Sequence, residues 1–344
     1  MIKTIFKFFI FLFLIKFINC QKDKDLNFPF PNLLGEFDSG YSYFPMIDNL
    51  KLHIRCYTNK QISKNDGENL LFDSGLPLFS TAYGNVIEML LKNNTMNKLK
   101  ISNACFFDRY GYGWSELSPV ALNSKQFIKK LYASIQTIPS INNSKYYYVG
   151  WSYGGLLGQT FATLYPNLIK GLLLIDSSDI GSLYDPKWSF DNITSQIDFI
   201  LQSVVPSPKE YIEQLTDFGI ITLKQGWMDS NTSLPKSCVE KTQKIILNSY
   251  DNYYLAAAQE LSQFIPNAMF LKSQYEKIPC KPLGKLPLVV ISSNPVEEPD
   301  WYNRQIEITK LSSNSIQLNS TDHFVPINQP DLIIKSIEIL LNKN

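Results

Sequence analysis

Gly150-Trp151-Ser152-Tyr153-Gly154 follows an apolar, β-prone run at 146–149 and leads into Gly155-Leu156-Leu157, the start of a helix-like run that Pro166 closes. A strand that turns directly into a helix at Gly-x-Ser-x-Gly holds its serine on a sharp turn. The Oγ is lifted off the sheet edge, where a base reaches it. Glycine is needed two positions before and two after, because side chains there collide with the neighbouring strand and helix backbones. Strand before and helix after raise the motif above a chance pattern and predict Ser152 as a nucleophile.

The same alternation extends outward. Strands are predicted at 50–57, 69–72, 104–107, 146–149 and 172–175. Helices are predicted over 86–91, through Phe127, Leu131 and Ile135, and over 155–164. Strands alternating with helices predict parallel strands joined by crossovers and covered on both faces. From 184 to 283 the rhythm breaks. That stretch carries no strong strand, and its helix-like segments include 212–218 and 254–264. Alternation resumes with a strand at 287–291, a helix at 301–311, a strand at 315–318 and a final amphipathic helix at 331–341. The predicted organisation is a signal segment 1–20, an α/β core in two parts at 21–183 and 285–344, and a mostly helical cap inserted at 184–284.

The chain has 344 residues, 44% hydrophobic and 13% aromatic. That is enough for one large core or a core with an insertion. Its 32 basic and 31 acidic residues give a net charge of +1. No long single-sign run points to nucleic acid. Lys3 and Lys7 precede an apolar run at 8–15, and Gln21-Lys22-Asp23-Lys24 is abruptly polar. This reads as a secretory signal cleaved near Cys20, which predicts a secreted or lumenal protein with no stable membrane insertion; a signal anchor is the rival reading.

Four cysteines follow the signal: Cys56, Cys105, Cys238 and Cys280. An even count permits disulfides, and Cys238 with Cys280 is the favoured pair because both lie in the insertion. Cys56 and Cys105 sit in strand-like runs and read equally well as buried thiols. N-glycosylation sequons stand at Asn93, Asn142, Asn192, Asn231 and Asn319. No spacing resembles a zinc site, and neither a metal nor an organic cofactor is implied.

A serine nucleophile needs a base, usually histidine. The chain has two. His53 lies inside an early strand and reads as a packed residue. His323 lies in Ser320-Thr321-Asp322-His323-Phe324, on the loop between the last strand and the last helix, where it faces the serine elbow; it is the predicted base.

At this point the chain resembles the α/β-hydrolase family. Phe72-Asp73-Ser74-Gly75-Leu76 is similar to the end of the family's oxyanion-loop strand. Asp108-Arg109-Tyr110-Gly111-Tyr112-Gly113-Trp114-Ser115 resembles its Asp-Arg-x-Gly-x-Gly-x-Ser signature. The serine elbow is the third stretch, and Asp322-His323-Phe324-Val325-Pro326 resembles the histidine loop. The resemblance covers nearly all of the chain after about residue 45. It implies a mostly parallel central sheet flanked by helices, with a helical cap. It also implies attack by Ser152 on an acyl carbonyl, proton transfer through His323, and an oxyanion hole from the backbone N–H groups of Leu76 and Tyr153. The family order is serine, acid, histidine. The usual acid position after the 287–291 strand lacks a Gly-x-x-Asp pattern, so Asp176 at the end of the preceding strand is favoured, with Asp300 and Glu298 as alternatives. Asp108 and Arg109 are expected to fix a loop. Trp151 is expected to fill part of the pocket, and Leu76-Pro77-Leu78-Phe79 to narrow the acyl site. The aromatic residues of the insertion are expected mainly to form its own core.

The resulting expectation is a secreted serine hydrolase acting on a small-molecule ester or amide, carboxylesterase-like. The alternatives are a non-catalytic binding protein on the same scaffold, and a cofactor-free oxidase or haloperoxidase of the same fold.

Overall fold

Eight runs rich in β-branched, aromatic and aliphatic residues pair into one sheet. They are β1 (Tyr41–Tyr43), β2 (His53–Thr58), β3 (Glu68–Asp73), β4 (Ile101–Asp108), β5 (Tyr146–Trp151), β6 (Ile169–Ile175), β7 (Leu288–Ser292) and β8 (Ser315–Asn319). The computed structural model describes residues 28–63, 66–204, 233–278, 280–293, 296 and 298–343. The signal segment 1–20, the predicted helix at 212–218 and the sequon at Asn231 lie outside the described residues.

The strands lie in the order β1-β2-β4-β3-β5-β6-β7-β8. From β4 to β8 every pairing is parallel. β2 runs antiparallel to β4 and to β1, so the sheet is mostly parallel, as expected, with an antiparallel edge. The physical reason is the connection. The described residues between β2 and β3 include no helix, so the chain stays at one end of the sheet and must return in the opposite direction. A parallel return needs a crossover of a dozen or more residues.

Alternate residues of the central strands face opposite sides, so each strand feeds two cores. On one face Leu70, Phe72, Phe106, Val149, Leu173 and Val289 pack against α1 (Gly84–Leu91) and against α8 (Pro330–Leu341). On the other, Leu71, Phe107, Tyr148, Leu172, Leu174 and Val290 pack against α2 (Ser124–Gln136), α3 (Tyr153–Leu164) and α7 (Pro299–Thr309). Strands buried on both sides read as continuous apolar runs, which is why 146–149 and 172–175 show no alternation.

Between β6 and β7 every described element is helical. The main ones are α4 (Phe190–Val204), α5 (Lys236–Asn248) and the 26-residue α6 (Tyr250–Tyr275). Trp188 stacks on Phe264 at 4.1 Å, and Phe264 in turn stacks on Tyr153 at the head of α3, 5.9 Å away. These rings join the insertion to the sheet. Phe190 and Phe199 differ from the expected insertion core: they are 79% and 72% exposed. Tyr211, Phe218 and Trp227 lie outside the described residues.

The disulfide also differs from expectation. Cys56 on β2 and Cys105 on β4 are register partners, with Cα atoms 4.0 Å apart, and they form the bond. Cys238 and Cys280 are free thiols. Cys238 is buried in the first turn of α5 and bonds the Leu33 carbonyl at 3.1 Å, while Cys280 is exposed beyond the far end of α6. A helix of that length spans roughly 39 Å, which explains why two cysteines of one insertion stay apart.

Candidate active site

Ser152 stands between the last residue of β5 and the first of α3. Its φ is 52° and its ψ is −119°. That region costs a non-glycine residue on the order of 1–3 kcal/mol. Its neighbours hold it there. Ser152 N donates to the Ile175 carbonyl at 2.9 Å, and its own carbonyl accepts from Ser178 N at 3.0 Å. A Cβ on Gly150 would fall 2.5 Å from the Gly154 carbonyl oxygen. One on Gly154 would fall 2.7 Å from the carbonyls of Asp73 and Ser74. Both flanking glycines are therefore dictated by backbone-to-backbone approach.

Asp176 follows directly on β6, with its N–H donating to the Ile291 carbonyl at 2.7 Å. The residue is 1% exposed. Its Oδ2 meets His323 Nδ1 at 2.5 Å. Its Oδ1 accepts from Ser293 N at 2.9 Å and from Trp301 Nε1 at 2.7 Å. Burial alone would raise this carboxyl; the hydrogen bond and charge of His323, with the Ser293 and Trp301 donors, bring it below its ordinary value. It is an acceptor with both oxygens occupied.

His323 comes from the loop after β8, and its side chain is 39% exposed. Asp322 shapes that loop, accepting from Phe324 N at 2.6 Å and from Asn328 Nδ2 at 3.2 Å. The His323 carbonyl accepts from Trp151 Nε1 at 2.9 Å. Trp151 is fully buried against Tyr83, Phe324 and the His323 ring, so it braces the loop instead of filling an open pocket. Of the three carboxylates weighed from the sequence, Asp176 is the one that reaches His323. Glu298 pairs with Lys187 at the surface, and Asp300 is exposed in the first turn of α7.

The Leu76 loop approaches from the other side. A Cβ on Gly75 would sit 3.1 Å from Ser152 Cβ and 3.7 Å from its Oγ, so the chain from Asp73 to Leu76 passes beside the serine. Arg109 holds it. Its Nη1 donates to Asp73 Oδ1 and to the Ser74 carbonyl, both at 2.5 Å, and its Nη2 donates to the Gly75 carbonyl at 3.2 Å. Burial disfavours the cation, but the Glu260 and Asp73 carboxylates outweigh that and raise its affinity for the proton. Tyr153 N opens α3, where helix N–H groups lack intrahelical acceptors and favour negative charge. Behind Arg109 a cavity of about 30 Å³ is lined by Tyr110, Phe127, Tyr153 and Gln259. That volume is room for roughly two waters, too little for an acyl chain.

A second hydrogen-bonded Ser–His–Asp series exists. Ser42 Oγ meets His53 Nε2 at 2.8 Å, and His53 Nδ1 meets Asp108 Oδ2 at 2.7 Å. His53 is fully buried between Phe44 and Trp114, each 5.1 Å away, and Arg55 Nη1 donates to Ser42 Oγ at 2.8 Å. The arrangement ties β1 to the sheet, in keeping with a packed His53. Asp108 also accepts from Ser80 N and Trp114 N, fixing its loop.

Sequence reasoning missed the two indole donors and Glu260. Each meets its partner only through long-range packing, and no local motif marks any of them.

Residues 70–335 match the model of the alpha/beta hydrolase family. No curated protein matches the chain. Among solved structures it resembles wild-type Cfl2 from Burkholderia cenocepacia, at 18% identity and TM-score 0.58, covering 89% of this chain and 95% of that one. It also resembles a malate-bound thermophilic esterase from Thermogutta terrifontis, at 16% identity and TM-score 0.58, covering 88% and 98%. A third is the epoxide hydrolase CorEH, at 16% identity and TM-score 0.56, covering 86% and 96%. At such identities the likeness is one of fold. With the match over residues 70–335 and the sheet order above, the chain belongs to the alpha/beta hydrolase family.

Proposed function

We propose that this protein is a secreted serine hydrolase that cleaves an ester or amide bond through an acyl-enzyme on Ser152. The observation that carries the reading is the 2.5 Å contact between His323 Nδ1 and the buried Asp176 carboxylate. An acceptor on Nδ1 places the proton there and leaves Nε2 as a base. Ser152 Oγ then attacks the acyl carbonyl while Nε2 takes its proton. The developing oxyanion is received by the N–H groups of Tyr153 and Leu76, each worth roughly 3–4 kcal/mol in such sites. His323 next gives the proton to the leaving alcohol or amine. Water, activated by the same Nε2, cleaves the acyl-enzyme and restores the serine.

Serine at the elbow favours acyl transfer over epoxide or carbon–halogen hydrolysis, for which an aspartate nucleophile is the usual requirement. The N-terminal segment supports secretion. The Cys56–Cys105 disulfide and the exposed Asn93, Asn192 and Asn319 are compatible with an oxidising, glycosylating compartment.

The test is labelling by a fluorophosphonate probe. Wild type should label, and Ser152→Ala and His323→Ala should not. A folded wild-type protein that fails to label refutes the serine-hydrolase reading and favours a binding role.

A further inference from the structure

A carboxylate on a single bond does not hold its own plane, because its terminal torsion is broad and two-fold. Asp176 therefore depends on what grips Oδ1 while Oδ2 serves His323. The segment after β7 supplies that grip, through Ser293 N and Trp301 Nε1. An indole N–H donates and never accepts, so it requires an acceptor at Oδ1 and favours the carboxyl turned that way. Trp301 is itself braced. The Arg304 guanidinium lies over its ring at 4.4 Å, and Arg304 Nη1 is tied to Asp185 Oδ2 at 3.0 Å.

A second indole acts on the backbone of His323. Trp151 Nε1 holds the His323 carbonyl, fixing the backbone from which the imidazole projects. The His323 ring lies 5.8 Å from the Trp151 ring and 6.4 Å from the Trp301 ring. Hydrogen bonds from two indoles thus set the imidazole and its carboxylate independently.

We infer that Trp151 and Trp301 are positioning residues for the His323–Asp176 pair, Trp301 through the acid and Trp151 through the loop. The inference rests on the hydrolase reading above. It assigns Trp301 no contact with substrate, so it separates turnover from binding.

The experiment is a double-mutant cycle on hydrolysis of a p-nitrophenyl ester by the full chain. Trp301→Phe should lower kcat about 10- to 100-fold with KM changed less than about twofold. In an Asp176→Asn background the same substitution should cost less than about twofold. Arg304→Met, which keeps the indole and removes its brace, should show a smaller kcat loss that also vanishes in that background. This second variant decides the matter if Trp301→Phe does not fold. Trp151→Phe should likewise act on kcat. Trp301→Phe or Arg304→Met losses that add fully in the Asp176→Asn background overturn the inference. So does a folded Trp301→Phe that labels with fluorophosphonate at the wild-type rate while Ser152→Ala stays blank. If wild type itself never labels, the hydrolase reading fails and takes this inference with it.

Discussion

Glu260, on the long insertion helix α6, accepts from Arg109 Nε at 2.6 Å, and the same guanidinium grips the loop from Asp73 to Gly75 beside Ser152. One buried arginine thus ties the insertion to the loop that carries Leu76. Glu260 also accepts from Tyr112 Oη at 3.1 Å.

Removing the Glu260 side chain strands buried donors. Glu260→Ala leaves Arg109 Nε and the Tyr112 hydroxyl without this acceptor, at a cost of roughly 2–3 kcal/mol. Glu260→Gln keeps one acceptor oxygen but turns an amide NH2 toward Arg109 Nη2, and should cost less than the alanine, about 1–2 kcal/mol. Urea unfolding of the two variants checks the order; equal losses would contradict it.

Asp179 gives a pH dependence with a definite sign. Burial pushes this carboxyl from its ordinary 3.8 up to about 6, against the pull of Arg304 and of the Gly181 and Ser182 N–H groups. Its Oδ1 lies 3.8 Å from Arg304 Nε, beyond hydrogen-bond reach. The folded state therefore holds a proton that the unfolded chain has released. The contribution is full below about pH 4 and is lost as pH rises through about 6, amounting to at most about 3 kcal/mol. Asp179→Asn should gain on wild type between about pH 4.5 and 7.5 in paired thermal melts. A constant difference across that range would contradict the assignment.

The Ser42–His53–Asp108 series should be catalytically silent. Ser42→Ala should keep wild-type fluorophosphonate labelling and lose about 1 kcal/mol of stability from the broken bonds to His53 and Arg55. Loss of labelling in a folded Ser42→Ala protein would make the buried series functional.

Thiol chemistry distinguishes the four cysteines. On the native protein iodoacetamide should modify Cys280, and denaturation without reductant should add Cys238. Cys56 and Cys105 should appear only after reduction. The bond joins positions separated by 49 in the chain. Removing the cross-link with Cys56→Ala and Cys105→Ala together should cost about 4 kcal/mol in the chain-entropy estimate for a loop of that size. Peptide mapping by mass spectrometry reads the pattern; a Cys238–Cys280 peptide would overturn it.

Much of this molecule is legible in its sequence, for identifiable reasons. The elbow is local: two glycines, with a strand directly before and a helix directly after, are enough to mark Ser152. The histidine loop is legible because the chain holds two histidines and one of them sits inside a strand. Asp176 is one of three options in the sequence because a strand-end aspartate is common and its selection depends on β6 and β7 lying side by side. The Cys56–Cys105 pairing follows from the antiparallel register of β2 on β4, which no local pattern encodes. In the sequence Trp151 reads as a pocket-filling side chain, and nothing marks Trp301. Their role rests on the direction of an indole N–H toward a partner far away in the chain.

The central claim is a covalent acyl group on Ser152. The direct measurement is acid quenching of the enzyme during turnover of p-nitrophenyl acetate, followed by intact-mass and peptide mapping. The expected result is one acetyl group on the peptide containing Ser152, absent in Ser152→Ala and formed far more slowly in His323→Ala. Turnover that persists in Ser152→Ala, or an acetyl group carried by a different residue, would contradict the claim.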